Sequence, residues 1–365
     1  MKNGKIGVGI IGVQPDRSWA AIAHIPALKA LPQYEIVALS TTKRASAEES
    51  AKRYGVPFAF DNHAALVAHP DVDVVAVTVK VPHHFELVTA ALNAGKHVYC
   101  EWPLGNGLDE AVRMAELARQ KQARAAVGLQ ARSAPVFNYV RDLVADGYVG
   151  EVLSVTLVGS GANWGPIMET PNLYTADKKN GATVLTIPFG HTVDAMCYAL
   201  GEFRDVMALT ARRRTQTQVA ETGALVDMTS EDQVIVGGTL TSGAVVDIHY
   251  RGGLPRGTGL LLEINGSAGD LQISGLFGHA QLADLSLRGA TGQEPAPQPL
   301  EVPSKYRWVP ELPTVAFNVA QAYARFASDL RDGTRSCPTF DDAVQRHRLL
   351  EAIETSAATG KRVSL

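Results

Sequence analysis

The stretch KIGVGIIGVQPDRSWAAIAH, residues 5–24, decides the fold of the first part of the chain. Ile6–Ile11 is an apolar run typical of a buried strand, Gly12 supplies a tight turn, and a helix is predicted from Trp19 to Ala30. A strand, a glycine turn and a helix in this order open a dinucleotide-binding βαβ unit. The usual second glycine is absent, because a longer loop, residues 13–18, stands in its place.

The same alternation of strand and helix continues to about residue 130. Helices are predicted at Ala45–Tyr54, Phe85–Ala94 and Leu108–Gln120. The later apolar runs are VDVVAVTV (72–79), KHVYC (96–100) and Ala125–Leu129. The first of these is nearly all β-branched, which is typical of a strand that is buried on both faces. The alternation predicts right-handed crossovers and a doubly wound parallel sheet, an α/β Rossmann domain over residues 1–130.

From about residue 150, predicted strands follow one another across Gly-rich turns with few helices between them. This rhythm predicts an α+β domain over residues 131–365 with a large, mostly antiparallel open sheet. Helices are predicted at Val184–Leu200, Ala316–Arg331 and Asp341–Thr359. The segment GATGQEPAPQP, residues 289–299, predicts a surface loop.

Composition limits the classes of function. The chain has 365 residues, 46% of them hydrophobic, and its formal net charge of −3 lacks the basic excess that a nucleic-acid backbone requires. Its three cysteines, Cys100, Cys197 and Cys337, have no metal-ligand spacing, which favours free thiols in a reducing compartment and no metal site. Apolar runs are too short for a signal sequence or a membrane span. We therefore expect a cytoplasmic protein without membrane or nucleic-acid partners.

The loop after the first strand is the expected pyrophosphate site. A helix N-terminus offers free N–H groups and the positive end of the helix dipole, which suit phosphate. A plain βα turn is the alternative interpretation. The residues predicted to bind the cofactor here are Gly12, Val13, Gln14, Arg17, Ser18 and Trp19.

The end of the second strand bears on the choice of coenzyme. Proteins that prefer NAD usually place a carboxylate there for the ribose 2′-hydroxyl. This chain instead has hydroxyl and cationic side chains, and Ser40, Thr42, Lys43 and Arg44 are predicted to contact the cofactor. The pattern favours NADP(H) over NAD(H), and a solvated polar helix start is the alternative.

Three segments resemble the glucose–fructose oxidoreductase/inositol dehydrogenase/MocA (Gfo/Idh/MocA) family. They are VGIIG…H…PAL at the start, AALNAGKHVYCEWPL (90–104) and NGATVLTIPFGHTVDAMCYALG (180–201). The resemblance extends over essentially the whole chain and is nearest to the branch that contains the fungal galactose-pathway repressor. It implies a Rossmann domain, a second α+β domain, and a homodimer or larger homo-oligomer formed through the open sheet.

The resemblance also implies where the chemistry lies. In family enzymes a Glu-Lys-Pro motif follows a strand, and its lysine handles the substrate proton beside the nicotinamide. Here Glu101 and Pro103 match, but Trp102 replaces the lysine, and an indole cannot exchange a proton. The aspartate expected four residues before His191 is replaced by Ile187.

The remaining expectations divide between cofactor and substrate. His191 is the candidate general base, aided by water or Tyr174, and a structural histidine in the core is the alternative. Asp194 is expected to orient groups or to cap locally. The further cofactor contacts expected are Val79, Lys80, His84, Glu101, Trp102 and Gln130. The alternatives are that Lys80 points to solvent and that His84 is a structural cap. Candidates for binding a carbohydrate-like substrate are Arg132, Asn163 and Trp164, although Arg132 could instead pair with another side chain at the junction of the two domains.

Two functions are consistent with these residues. One is an NAD(P)-dependent oxidoreductase that acts on a sugar, a polyol or a related carbonyl compound. The other is a non-catalytic dinucleotide-binding regulator with a protein partner, because both the lysine and the aspartate of the family are missing. The first is favoured, since most members of the family are enzymes.

Overall fold

The computed structural model describes residues 4–15 and 17–365. The chain divides into two compact units, the first formed by Met1–Ser133 and Trp308–Gln345, the second by Ala134–Arg307 and Arg346–Leu365. In the described ranges, no helix combines the length and the apolar character that a membrane span requires.

The first unit contains a six-stranded parallel sheet, which confirms the predicted doubly wound fold. The strands lie in the order β3-β2-β1-β4-β5-β6. They are β1 (Ile6–Ile11), β2 (Tyr34–Ser40), β3 (Phe58–Phe60), β4 (Val74–Val77), β5 (His97–Glu101) and β6 (Ala125–Gly128). The order reverses between β1 and β4, so the carboxyl ends of these two strands form the topological switch point at which Rossmann folds bind dinucleotides.

Helices connect these strands. They are α1 (Ile25–Lys29), which continues a π-helical turn at Ala20–His24, α2 (Arg44–Tyr54), α3 (His63–Ala68), α4 (His84–Asn93) and α5 (Leu108–Gln120). The sequence predicted most of these helices, but it predicted neither strand β3 nor helix α3. These elements have three and six residues, too few to show a hydrophobic period.

The second unit contains a nine-stranded sheet in the order β17-β16-β15-β14-β7-β13-β12-β9-β18, antiparallel except where β13 pairs with β7. Its strands are β7 (Val152–Ser160), β9 (Phe203–Ala211), β12 (Gln233–Leu240), β13 (Val245–Arg251), β14 (Leu260–Gly266), β15 (Gly269–Gly275), β16 (Ser286–Thr291), β17 (Gln298–Pro299) and β18 (Val363–Ser364). A smaller sheet joins β8 (Ile167–Met168), β10 (Gln216–Val219) and β11 (Leu225–Asp227).

The prediction of a surface loop over 289–299 was wrong at both ends. Residues 289–291 close β16, and Gln298–Pro299 form β17. Gly289 is not a turn residue: a Cβ there would lie 2.6 Å from the Tyr148 hydroxyl and 2.7 Å from Leu300. The glycine permits close packing within the sheet, and a composition rich in glycine and proline does not reveal this.

The two faces of the large sheet differ. One is buried and carries the apolar side chains of alternate residues, such as Val234, Val236 and Ile248. The opposite face, here called the open face, exposes Met207 and Leu209 of β9, Ile235 of β12 and Val245 of β13. The helices of this unit include α6 (Pro135–Ala145), which the sequence did not predict, and α7 (Gly190–Leu200), which continues a π-helical turn at Leu185–Phe189. The part of the last helix, Phe340–Thr359, that follows Gln345 also belongs to this unit.

The segment Trp308–Gln345 completes the first unit. It contains α8 (Thr314–Asp332) and the beginning of α9 (Phe340–Thr359). The ring of Tyr323 on α8 stacks on Tyr99 of β5 at a centroid distance of 4.5 Å, and the backbone of β6 pairs with Pro338 and Thr339. The predicted division placed this whole segment in the second domain, because a change of sequence rhythm cannot show that a late helix returns to an early sheet.

Candidate functional site

The turn after β1 brings the ends of three strands together. Gly12 has φ +103°, and a Cβ at this position would lie 2.6 Å from Val79 Cγ1 and 3.2 Å from the Thr78 carbonyl oxygen. Its N–H donates to the carbonyl of Ser40, the last residue of β2, at 3.0 Å. Only glycine fits this conformation and this space. Because Gly12 has no side chain, the backbone after β1 can lie close to Thr78 and Val79 at the switch point.

Ser18 closes the loop that follows. Its Oγ donates to the Gln14 carbonyl at 2.8 Å and accepts from the N–H groups of Gln14 and Ala21 at 2.9 and 3.3 Å. Val13 is buried, whereas Gln14 and Arg17 are exposed. The Trp19 indole N–H is buried and has no hydrogen-bond partner among the residues whose structure is described. The close backbone approach and this unsatisfied donor fit a bound dinucleotide.

Lys43 and Arg44, the two cations predicted to contact the cofactor after β2, have different surroundings. Arg44 binds Glu48 Oε1 at 2.7 Å and the Ala59 carbonyl at 3.1 Å. Lys43 and Thr42 are exposed, and the Lys43 ammonium contacts no hydrogen-bonding or acidic partner in the described part of the chain. Ser40 is buried within the strand. The side chains positioned to meet a ligand here are therefore those of Lys43 and Thr42.

Glu101 ends β5 as a buried carboxylate. Its Oε1 accepts hydrogen bonds from His24 Nε2 at 2.9 Å and from Gln130 Nε2 at 2.7 Å. Gly128, the last residue of β6, leaves room for this carboxylate, since a Cβ there would lie 2.6 Å from the same oxygen. Trp102 follows directly, is buried, and is joined to Pro103 by a cis peptide bond.

His84, expected to be either a structural cap or a cofactor contact, lies between two backbone carbonyls. Its Nδ1 lies 2.8 Å from the Pro103 carbonyl and its Nε2 lies 2.9 Å from the Val79 carbonyl. Burial lowers the pKa of this imidazole. Because both nitrogens face the backbone, His84 joins the end of β4 to the residues after Glu101 and is a positioning residue. Beside it, Val79 is half-buried and Lys80 is exposed.

Arg132 was predicted to bind substrate or to pair at the junction, and the structure shows an ion pair. The guanidinium is largely buried, and Nη1 lies 2.8 Å from Asp342 Oδ1. The other oxygen of Asp342 accepts from the N–H and the hydroxyl of Thr339, each at 2.7 Å. Arg132 therefore contributes to the packing of the first unit, in which both partners lie.

In the second unit, His191 lies at the start of α7 with 4% of its surface exposed. Burial, with a smaller contribution from the charge of His279, lowers the pKa of His191 to about 3. Its Nδ1 is buried and has no hydrogen-bond partner within the described residues. His191 is therefore a neutral imidazole at physiological pH, and in this environment it is a weak base.

His279 is a neighbouring residue that the sequence analysis missed. Its Nε2 accepts the N–H of Ala162 at 3.0 Å, which places the proton of the neutral ring on Nδ1. Burial lowers its pKa to about 4. The loop that carries it is held by the Gly278 carbonyl, which accepts from Tyr250 and Thr192. The only signal in the sequence is a histidine within a glycine-rich loop after β15, which is too common to be informative.

The predicted substrate loop is only partly accessible. Trp164 is wholly buried, its indole N–H donates to the Thr175 carbonyl at 3.0 Å, and its ring stacks on His279. This corrects its expected role, because a buried indole cannot provide a stacking surface for a sugar. Asn163 is half-buried, and so is Tyr174, whose hydroxyl pKa is raised by burial.

Asp194 has a structural role. It lies one turn after His191 and pairs with Arg346, whose Nε is 3.2 Å from Asp194 Oδ1, and neither side chain is exposed. Arg346 also binds Glu202 at 2.9 Å. The ion pair fixes α7, and with it the backbone that carries His191. Ile187, in the π-helical turn before α7, provides no carboxylate for proton transfer.

Comparison with known families covers both units. Residues 6–129 match the oxidoreductase family with an NAD-binding Rossmann fold, Gfo/Idh/MocA. Residues 135–275 match the C-terminal domain of Gal80p. The boundary between the two matches lies close to the break between the compact units at Ser133 and Ala134.

Several characterised relatives are similar over most of the chain. Dehydrogenase aclE of Aspergillus oryzae is 30% identical, over 99% of this chain and 98% of its own length. The galactose/lactose metabolism regulatory protein GAL80 of Kluyveromyces lactis is 28% identical, over 77% of this chain and 66% of its own. Levoglucosan dehydrogenase of Pseudarthrobacter phenanthrenivorans is 25% identical, over 80% and 76%.

The fold has a solved counterpart. A super-repressor mutant of Gal80p from Saccharomyces cerevisiae superposes with a TM-score of 0.90 at 23% identity, covering 99% of this chain and 97% of that one. This likeness concerns the fold alone. The sequence matches show that the chain belongs to the Gfo/Idh/MocA family of oxidoreductases and resembles its Gal80 branch.

Proposed function

We propose that this protein is an NAD(P)-dependent oxidoreductase that acts on a sugar, a polyol or a related carbonyl compound. The observation that carries the proposal is the buried Glu101 carboxylate at the end of β5, beside the switch point that Gly12 marks. The similarity to dehydrogenase aclE over 99% of the chain supports an enzyme, and the similarity to levoglucosan dehydrogenase supports a carbohydrate-like substrate.

A bound nicotinamide would supply the hydride chemistry, and the protein would bind and orient. Gly12 and the loop closed by Ser18 would take the pyrophosphate, with the Trp19 N–H as an additional donor. Glu101 would accept a ribose hydroxyl. The buried Trp102 would limit the access of water to this end of the cofactor, since a large indole lies where the family has a lysine.

The chain lacks the two groups that transfer protons in family enzymes. Trp102 cannot exchange a proton, and Ile187 removes the second family group. His191 Nδ1 would accept a hydrogen bond from a substrate hydroxyl, and Tyr174, a protonated phenol at neutral pH, would donate one. With a His191 pKa of about 3, turnover would be slow compared with that of relatives that have the lysine.

The coenzyme we propose is NADP(H). No carboxylate lies among residues 40–44, and the exposed Lys43 and Thr42 would bind a 2′-phosphate. Arg44 would contribute less, because Glu48 already holds its guanidinium.

A second candidate function is supported by the same residues. If the site does not turn over, the chain is a dinucleotide-binding regulator with a protein partner, as its likeness to GAL80 suggests. The observation in favour is that Trp102 and Ile187 replace both proton-handling groups while Glu101 and the Gly12 turn are retained.

One experiment distinguishes the two. The protein is loaded with near-stoichiometric NADPH, and the absorbance of the reduced nicotinamide is followed during exposure to aldoses, ketoses and inososes. Oxidation by one compound supports the enzyme. Tight binding without oxidation by any of them supports the regulator, and failure to bind either NADPH or NADH contradicts both.

We also propose a homodimer, or a larger homo-oligomer, formed through the open face. This face exposes four large apolar side chains on three adjacent strands, of which Ile235 lies directly opposite Leu209. An Ile235→Glu variant should be monomeric by light scattering. Leu225→Glu is the matched control, because Leu225 is 66% exposed but lies on the small sheet. An unchanged mass for Ile235→Glu would exclude this interface.

A further inference from the structure

A chain of buried hydrogen bonds joins Tyr323, His24 and Glu101 in the first unit. The Tyr323 hydroxyl lies 2.8 Å from His24 Nδ1, and His24 Nε2 lies 2.9 Å from Glu101 Oε1. His24 has no exposed surface. Both nitrogens of the imidazole are therefore used, one on each side of the ring.

These contacts fix the tautomer of the imidazole. A carboxylate can only accept, so the ring proton lies on Nε2 and points at Glu101, and Nδ1 accepts from Tyr323. Tyr323 is itself immobilised, because its ring stacks on Tyr99 and meets Tyr34 edge-on at 5.4 Å. The His24 ring is thus held on its Nδ1 side by Tyr323, which does not touch the ligand site.

The arrangement leaves one side of Glu101 for a ligand. Gln130 and His24 both bind Oε1, and no described residue donates a hydrogen bond to Oε2. About a tenth of the side chain stays exposed. A carboxylate oxygen at the carboxyl end of a central strand is suited to accept the hydroxyls of a ribose.

His24 also belongs to the element that follows the phosphate-side loop. It is the last residue of the π-helical turn Ala20–His24, which begins directly after Trp19. One short helical segment therefore connects the loop closed by Ser18 with the orientation of Glu101.

We infer that His24 is the positioning residue of the dinucleotide site, holding Glu101 so that Oε2 accepts the hydroxyls of the ribose next to the nicotinamide. The inference rests on the proposed dinucleotide site and adds to it a residue that touches neither cofactor nor substrate. Tyr323 acts one step further away, by holding the His24 ring.

Two isosteric variants separate the two contacts of His24. In His24→Gln the amide N–H takes the place of Nε2–H and still donates to Glu101. In His24→Asn the amide takes the place of Nδ1, so the contact with Tyr323 is kept and the one with Glu101 is lost. Calorimetric titration with NADPH, ADP-ribose and ADP is measured for both variants, the unaltered protein and Glu101→Gln.

We expect His24→Asn and Glu101→Gln to lower the affinity for NADPH and for ADP-ribose about tenfold, which is the loss typical of one hydrogen bond to a charged group. The affinity of His24→Gln for both ligands should stay within about threefold of that of the unaltered protein. ADP lacks the second ribose, so all four proteins should bind it equally. This last result distinguishes positioning from a general loss of structure.

Other results would overturn the inference. If His24→Asn binds NADPH normally while Glu101→Gln does not, His24 does not position the carboxylate. If both His24 variants also lose affinity for ADP, the role of His24 is structural. If the unaltered protein binds NADPH and neither Glu101→Gln nor His24→Asn changes its affinity, the inference fails together with the assignment of Glu101 to the ribose, while dinucleotide binding itself stands. If the unaltered protein binds no dinucleotide, both fail.

Discussion

Arg346 Nε lies 3.2 Å from Asp194 Oδ1, and both side chains are wholly buried. Removing the charge of Asp194 leaves the buried Arg346 with the half-exposed Glu202 as its remaining acidic partner in a medium of low polarity. Asp194→Asn should therefore lower the free energy of unfolding by roughly 3 kcal/mol, measured by urea denaturation. Glu202→Gln, which alters the half-exposed partner of the same arginine, should cost about 1 kcal/mol or less. Equal losses would show that burial does not determine the strength of these contacts.

Trp102→Lys tests whether the missing amine limits turnover. A lysine here restores the group that handles the substrate proton in the family, and general acid–base catalysis is worth about 100-fold. We expect the rate of NADPH oxidation, measured with the best substrate of the panel, to rise by at least about tenfold. Trp102→Phe is the control, since it keeps an aromatic ring without an amine and should give no gain. Equal rates for the two variants would refute the assignment.

The buried histidines predict a pH-dependent stability. The pKa values of His191 and His279 fall from 6.5 to about 3 and about 4 on folding, so below pH 6.5 the unfolded chain binds protons that the folded chain does not. Stability should be complete above pH 6.5 and be lost as the pH falls, by about 2 kcal/mol for each histidine at pH 5. His279→Gln should reduce this dependence in urea denaturation at pH 7.5 and pH 5. The exposed His83→Gln should leave it unchanged, and a similar effect of both variants would contradict the assignment.

Lys43→Glu tests the coenzyme. Replacing the cation that would bind a 2′-phosphate should lower the affinity for NADPH about tenfold or more and should change the affinity for NADH much less. Lys52→Glu makes the same change of charge in the last turn of α2 and controls for long-range electrostatics. If both variants change the two affinities alike, Lys43 does not read the 2′-phosphate.

Local sequence patterns predicted the regular parts of the fold. Helix α5 has the predicted bounds, Leu108–Gln120, because its apolar residues keep a helical period. Most strands of the two large sheets were placed within a few residues, whereas β3, β16, β17 and β18 were not predicted. Helix α6 was missed, and so was the return of α8 to the first sheet, which depends on contacts between residues distant in the chain.

The candidate site was predictable in outline only. The positions of Gly12, Glu101 and His191 followed from motifs, but burial was not visible in the sequence, and burial decides that Trp164 is core and His191 neutral. His24 and His279 could not be assigned roles, because their partners, Tyr323 and Ala162, are far away in the sequence.

The segment Trp308–Gln345 has a consequence for how the protein is made. The strands of the parallel sheet are translated well before the ring that stacks on Tyr99 and the backbone that covers the edge of β6. A nascent or truncated chain that ends before Trp308 would present an unpaired strand edge and would lack the ring that orients His24. The residues of the first unit that would touch a nucleotide are thus translated long before the segment that completes their surroundings.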